Sequence, residues 1–370
     1  MSRRKIGILT THRANNFGAV LQAFSLVSAC LELGVDAEII DWRNPYFEEL
    51  YHKMFRPGGR IKYNLARAIS FWSFALPMRC RYSKFRRLIP SGHPIFERSK
   101  LVEESAGYDA FIVGSDQVWN PRNSARGDPH GFDRTNLLDF VGTKPRYAYA
   151  ASIGTDGIKP ADLLPEFKAA WEKFSIITMR EYEGAEYVSS ILGRKVDAVL
   201  DPVMLHDAKW WTQWFSTRPL PNGRYVFVYN LHHSAEMKRY AQKLADGIGG
   251  EVVSVMIGHS FHKWAPGMLS VGPAEFLKLL ANANVVVTSS FHASAFSAIF
   301  GKELYLSVEQ GDGNPNTRFS SFSRFTGLKG DEICRSGDTS WIHFDCSCVD
   351  MTALSAARDF SLSKLKSMVC

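Results

Sequence analysis

The stretch Asn284-Val-Val-Val-Thr-Ser-Ser-Phe-His-Ala-Ser-Ala-Phe-Ser-Ala-Ile-Phe-Gly-Lys-Glu-Leu304 decides how the chain folds. Val285, Val286 and Val287 form an unbroken β-branched run, the pattern of a parallel strand buried on both faces. Thr288, Ser289 and Ser290 then offer side-chain oxygens for a helix N-cap. His292, Ala295, Phe296 and Ile299 recur at helical spacing, and Gly301 supplies a stop. A strand therefore runs straight into a helix whose first turn carries a histidine. In an open α/β sheet this junction lies at the carboxyl ends of the strands, where ligands bind. Its unbonded N–H groups and its dipole favour an anion. Packing beside Phe296 and Ile299 would also account for His292, so its functional reading rests on the rest of the chain.

Working outward, the second half alternates strand and helix. Tyr225 to Asn230, Glu251 to Met256 and Leu304 to Val308 read as strands, and Ala235 to Ile248, Pro273 to Ala281 and Thr352 to Met368 as helices. The first half does the same. Lys5 to Thr11 is a strand, Ala19 to Val27 a helix and Ala37 to Trp42 a strand; Tyr108 to Val113, Arg146 to Ser152, Ser175 to Met179 and Val196 to Leu200 are further strands. Pro219-Leu220-Pro221-Asn222-Gly223 is the clearest linker. The expected class is α/β, with two Rossmann-like domains facing each other across a cleft. Expected limits are 1–218, with a basic insertion at about 50–100, then 219–350, then a C-terminal helix over 351–370.

A length of 370 residues suits two domains. No apolar run approaches the roughly 18 residues of a bilayer span. The basic start Ser2-Arg3-Arg4-Lys5 leads into an apolar stretch too short for a secretory signal, so a cytoplasmic protein is expected. Six cysteines include no CxxC pair, and Cys346-Ser347-Cys348 near His343 lacks a second ligand pair; no metal is expected. The loop after the first strand lacks GxGxxG, which speaks against a dehydrogenase.

The formal charge is +7, and the excess is local. Between Lys53 and Lys100 many Lys and Arg residues, Arg79, Arg81, Lys84, Arg86 and Arg87 among them, face the single acid Glu97. Ile61, Leu65, Ile69 and Trp72 recur at helical spacing ahead of Pro77, which should end that run, and Arg79 to Arg87 is a cationic helix candidate. Such a segment is either a solvated insertion or a patch for peripheral contact with an anionic membrane. No recognition module accompanies it, so nucleic acid is not an expected partner.

Several strand ends carry chemistry: Gly114-Ser115-Asp116 after one strand, Arg180-Glu181 after another, Asp201-Pro202 after a third. Arg180 should point to the crevice, or else pair with Glu181 or Glu183 on its rim.

Together these motifs resemble the polysaccharide pyruvyl transferase family. They are Asn16-x-Gly18-x-x-Leu21-Gln22, Gly114-Ser-Asp-Gln-Val-Trp-Asn120, Tyr147 to Gly154, Thr178-Met-Arg-Glu181, Leu200-Asp-Pro-Val203 and Ser289-Ser-Phe-His292, in that order from about Ile6 to about Leu328. The resemblance implies a fold like the GT-B glycosyltransferases. It also implies transfer of the pyruvyl group of phosphoenolpyruvate to a sugar, usually as a cyclic ketal on a surface polysaccharide precursor, with no cofactor. His292 resembles the family's catalytic histidine and is expected to act as general acid, with Asp116 as a base or as the orienter of His292. Arg180 resembles a substrate-binding arginine. Ser289, Ser290, Phe291, Gly114, Ser115, Asn16 and Gly18 complete the expected binding set. Where the family often has Arg-Leu-His, this chain has Ser290-Phe291-His292; Arg318 is the candidate replacement for the missing cation. The implied acceptor is a lipid-linked sugar at the inner membrane face. The alternatives are a GT-B glycosyltransferase using a nucleotide sugar and a non-catalytic carbohydrate-assembly protein of the same fold.

Overall fold

The computed structural model describes residues 3–44, 71–121, 133–154, 166–231, 234–255, 268–309, 317–336 and 339–370. The chain opens with β1 (Lys5–Leu9), α1 (Phe17–Glu32) and β2 (Asp36–Ile39). A π-helical turn, Phe71–Ala75, leads into α2 (Leu76–Arg86), followed by α3 (Arg98–Ser105), β3 (Ala110–Val113), β4 (Arg146–Ala151) and α4 (Glu166–Trp171). Then come β5 (Ile176–Met179), α5 (Tyr182–Leu192), β6 (Asp197–Ala198) and the short α6 (Ala208–Thr212). The strands lie in the order β2-β1-β3-β4-β5-β6 and pair in parallel throughout. The chain runs outward from β1 to β2 and then returns to β3. The topological switch point, where a crevice opens in such sheets, is therefore between the carboxyl ends of β1 and β3.

The second half holds β7 (Tyr225–Tyr229), α7 (Ala235–Ile248), β8 (Glu251–Val255), β9 (Met268–Leu269), α8 (Pro273–Asn282), β10 (Val285–Thr288) and α9 (Phe291–Ile299). It continues with β11 (Glu303–Glu309), α10 (Thr317–Thr326), β12 (Asp331–Ser336), β13 (Thr339–Asp345) and α11 (Met351–Val369). The order is β12-β13-β11-β10-β7-β8-β9, and its switch point falls between β7 and β10. β3, β7 and β10 are buried along their whole lengths, as their unbroken apolar sequences require. The sequence reading missed α5 and the antiparallel β12–β13 hairpin, whose exposed strand carries mixed polar residues with no clear period. Among the described residues no helix is long and apolar enough to cross a membrane. Cys346 is core: burial, with Asp345 nearby, pushes its thiol up to about 12.

The two sheets share one apolar cluster. Phe17, at the start of α1, stacks on Tyr82 of α2 at 5.4 Å and on Phe276 of α8 at 4.3 Å, with the edge of Tyr229 at 5.3 Å. Trp211 of α6 meets Phe296 of α9 edge-on at 5.0 Å. α11 crosses back to the first sheet. Leu200 N donates to Ser361 Oγ (3.0 Å), Arg358 Nε donates to the Met204 carbonyl (3.0 Å), and Lys364 pairs with Asp197 at 2.7 Å.

The basic segment differs from the expectation in two ways. Pro77 sits in the first turn of α2, just after the π-helical turn ends, and so stands at the start of a further helix, where a residue needs no N–H partner. The cationic helix is not solvated on all sides either: Met78, Tyr82 and Phe85 are buried, with Tyr82 and Phe85 against Phe17 and Phe24 of α1. The expected stripe at Ile61, Leu65 and Ile69 lies outside the described residues.

Candidate active site

The first switch point is built by backbone constraints. Gly114 has φ +115°, and a Cβ there would lie 2.2 Å from the Tyr149 carbonyl oxygen, so only glycine fits. Gln22 of α1 ties the two strand ends together. Its Oε1 accepts from Ser115 N (3.2 Å) and its Nε2 donates to Thr10 Oγ1 (2.8 Å). Asp116 (φ +72°) and Ala150 (φ +48°) occupy the left-handed region, which costs a non-glycine residue about 1–2 kcal/mol each. Such conformations concentrate at functional sites.

Arg180 leaves the end of β5 and is only 2 % exposed. Its Nε donates to Glu181 Oε1 (2.8 Å) and its Nη1 to Asp201 Oδ2 (3.3 Å), while Asp116 Oδ1 lies 3.8 Å from Nη1. The guanidinium also lies 4.7 Å from the centroid of the Phe291 ring. Burial opposes the charge of Arg180, but Glu181, Asp201 and Asp116 outweigh it and hold the group more firmly protonated than usual. The arginine expected to point to the crevice does turn toward Phe291 of α9, but it is enclosed there by carboxylates. The pairing with Glu181 is present, but it is buried rather than on the rim, because Glu181 is itself fully enclosed and accepts from Ser152 Oγ (3.0 Å).

Asp201, after β6, is the hub of the cluster. Its Oδ1 accepts from Val203 N (3.1 Å), and Ser115 Oγ lies 3.0 Å from its Oδ2. Burial alone would raise its carboxyl; the nearby charges of His292 and Arg180, with the Val203 amide, overcome this and hold it at about 2. Ser115, expected to bind substrate, is fully buried and shared between Asp201 and the Ala150 carbonyl (2.9 Å). Gly114 likewise shapes the loop from beneath.

His292 stands at the strand–helix junction of the second sheet. Ser290 is the N-cap of α9, accepting from Ala293 N at 3.4 Å, and Thr288 Oγ1 accepts from Ser290 N at 3.0 Å. The His292 ring is 9 % exposed as a residue, and its Nε2 lies 3.5 Å from Asp201 Oδ2. That distance is an ion-pair approach without hydrogen-bond geometry, and Nε2 has no hydrogen-bond partner among the described residues. Ser289 Oγ beside it is likewise buried and unpartnered. On its other edge the ring meets α1: a Cβ on Gly18 would lie 2.1 Å from Nδ1. Asn16 caps α1 by accepting from Ala19 N (3.2 Å). Two helix N-termini, one from each sheet, thus converge on one imidazole, and their dipoles add positive potential there.

The structure therefore brings His292, Arg180, Asp116, Ser115, Ser289, Ser290, Phe291 and Gly18 together. Asn16 and Gly18 serve helix capping and close packing. The side chain of Arg318 lies outside the described residues; its helix, α10, docks beside the cluster through Ser321 Oγ, which accepts from Tyr182 N (3.0 Å). Sequence reasoning passed over Asp201, Glu181 and Gln22 as site residues, although each stood in a quoted motif. A carboxylate directly after a strand and before Pro202 was the available signal for Asp201. Among the described residues no group of three or more His, Cys, Asp or Glu side chains could hold a metal ion.

Among solved structures, the chain is similar to a UDP-N-acetylglucosamine 2-epimerase from Listeria monocytogenes (TM-score 0.52, 9 % identity, covering 100 % of this chain and 92 % of that one). It is also similar to a UDP-GlcNAc 2-epimerase from Neisseria meningitidis (0.48, 10 %, 99 % and 94 %). A third similar structure is the glycosyltransferase SnogD from Streptomyces nogalater (0.44, 13 %, 100 % and 96 %). At these identities the likeness speaks to the fold alone, which is of the GT-B kind. No curated protein matches the chain in sequence. A family model described as polysaccharide pyruvyl transferase matches residues 16–306, from the N-cap of α1 into β11 and across every member of the His292 cluster, and the chain belongs to that family.

Proposed function

We propose that the protein transfers the pyruvyl group of phosphoenolpyruvate to a sugar of a surface polysaccharide precursor and closes it as a ketal. The observation that carries this reading is the buried, unpartnered Nε2 of His292 between two helix N-termini, beside the Asp201 carboxylate. An imidazole so placed can hold a proton and give it up to a bound donor. Protonation of the methylene carbon by His292 makes an oxocarbenium-like centre at the adjacent carbon. One sugar hydroxyl attacks that carbon; the bond to the phosphate oxygen then breaks and phosphate leaves with the electron pair. A second hydroxyl adds to the same carbon and closes the ketal. Of the two hydroxyl protons released, one returns to His292 and the other leaves with phosphate. Asp116, whose side chain is 24 % exposed, is the base assigned to the acceptor.

The donor is a strong anion, and Arg180 is already matched by carboxylates. The first turns of α1 and α9 supply part of the attraction, and Arg318 on α10 is the cation assigned to the rest. We further assign the exposed side of residues 72–87, with Lys84, Arg87 and the 62 % exposed Trp72, to peripheral contact with an anionic membrane that carries a lipid-linked acceptor.

The test is thermal shift of the purified protein with phosphoenolpyruvate and, separately, with uridine and guanosine diphosphate sugars, followed by phosphate release with candidate acceptors. Stabilisation by phosphoenolpyruvate, and phosphate release lost in His292→Ala with the fold intact, is the expected result. Stabilisation by a nucleotide sugar alone would replace this reading with glycosyl transfer. Phosphate release unchanged in His292→Ala would remove that residue from the chemistry.

A further inference from the structure

Arg86 belongs to the basic segment, yet its side chain turns inward. Nε donates to the His12 carbonyl (3.0 Å); Nη2 reaches the carbonyls of Arg13 (2.7 Å) and Ala14 (2.8 Å) and Asn15 Oδ1 (3.0 Å). These acceptors are on four consecutive residues of the loop from β1 to α1, at the switch point of the first sheet. The near end of this loop is fixed separately, by His12 Nε2 against Asp41 Oδ1 at 2.9 Å and His12 Nδ1 against the Thr10 carbonyl at 3.0 Å. Its far end is Asn16, the N-cap of α1, and two residues later comes Gly18, against which His292 rests.

The same helix holds the opposite sheet. Arg81 Nη1 donates to the Ser270 carbonyl (3.0 Å) and its Nε pairs with Glu275 at 3.4 Å, in the first turn of α8. Between these two arginines, Tyr82 stacks on Phe17. α2 therefore spans the crevice, with Arg81 on one bank and Arg86 on the other.

We propose that Arg86 is a positioning residue and α2 a clasp: it sets the β1–α1 loop, and through it the seat of His292, relative to the second sheet. A planar guanidinium suits the task, because its forked N–H groups reach several carbonyls at once, where an ammonium is a single point. Only the kinetic consequence rests on the transferase reading; the structural one does not.

The experiment compares the full-length wild type with Arg86→Ala and Arg86→Lys by amide hydrogen exchange, thermal unfolding and turnover. Exchange at residues 13–20 and 289–293 should rise by about tenfold or more in Arg86→Ala, with β4 and β7 as protected as before. Millimolar guanidinium ion should restore that protection and part of kcat in Arg86→Ala, and Arg86→Lys should lie between. Unchanged protection of 13–20 in both variants would overturn the proposal. So would a uniform loss of protection across both sheets in both variants, since Arg86 would then only hold the fold. Local loosening with no pyruvyl transfer by the wild type would leave the clasp standing and remove the proposed reaction instead.

Discussion

His292 and Gly18 touch across the two sheets: the imidazole edge occupies the space that a side chain on the second residue of α1 would fill. The helix of one lobe is thus shaped to the imidazole of the other, and a single methyl group is enough to part them.

Gly18→Ala tests this contact. On helix propensity alone the change should favour α1 by about 1 kcal/mol. Yet the new Cβ would sit 2.1 Å from Nδ1 of a ring with little room to move. The expected outcome is a folded protein whose turnover falls by about a hundredfold, the cost of an ångström-scale misplacement. Crystallography of the variant should show the ring displaced. Normal turnover with an unmoved ring would show that the contact is dispensable.

Asp201→Asn tests the hub. The folded carboxyl, at about 2, lies below its ordinary 3.8. The unfolded chain therefore takes up the proton first as pH falls. The contribution of Asp201 is complete above its ordinary value and disappears as pH drops towards 2. A depression of this size is worth about 2–3 kcal/mol. Urea midpoints at pH 6, 4 and 3 should show wild type losing stability over that window. The variant should begin lower at pH 6, by about 3–5 kcal/mol, because Arg180 has lost a buried partner. Its acid slope should be shallower. Equal acid slopes in the two proteins would exclude Asp201 as the source.

The exposed charges of α2 make a third prediction. Lys84 and Arg87 face outward, whereas Arg86 and Arg81 are engaged within the protein. A Lys84→Glu, Arg87→Glu double variant should bind anionic vesicles at least about tenfold more weakly, given about 1 kcal/mol per basic residue near such a surface. Turnover on a soluble acceptor should not change. Cosedimentation that is equal for both proteins would assign the patch another use.

What the sequence disclosed was local. Val285 to Gly301 holds strand, cap, helix and stop within one continuous stretch, so β10, α9 and the position of His292 could be read directly. Charge composition is different, because it does not say which way a side chain turns. Arg86 and Arg87 are neighbours in a cationic run, but one is bonded to the crevice loop and the other is exposed. The burial of Arg180 was hidden for a related reason: Glu181 is adjacent in sequence, but Asp201 and Asp116 reach the guanidinium only once β3, β4, β5 and β6 are assembled in one sheet. An arginine at a strand end reads as a crevice-pointing binder or a rim ion pair; three strand ends together make it the centre of an ion network.

The return of α11 sets the order in which the molecule can be completed. Leu354, Leu365, Met368 and Val369 are core residues, and Arg4, one residue ahead of the first strand, donates to the carbonyls of Met368 and Val369. The lobe translated first is therefore sealed by a segment translated after the second lobe has emerged. Cutting the chain at Pro219 to Gly223 would not release two self-sufficient halves, and the amino-terminal fragment would need residues 351–369 supplied in trans to cover its sheet.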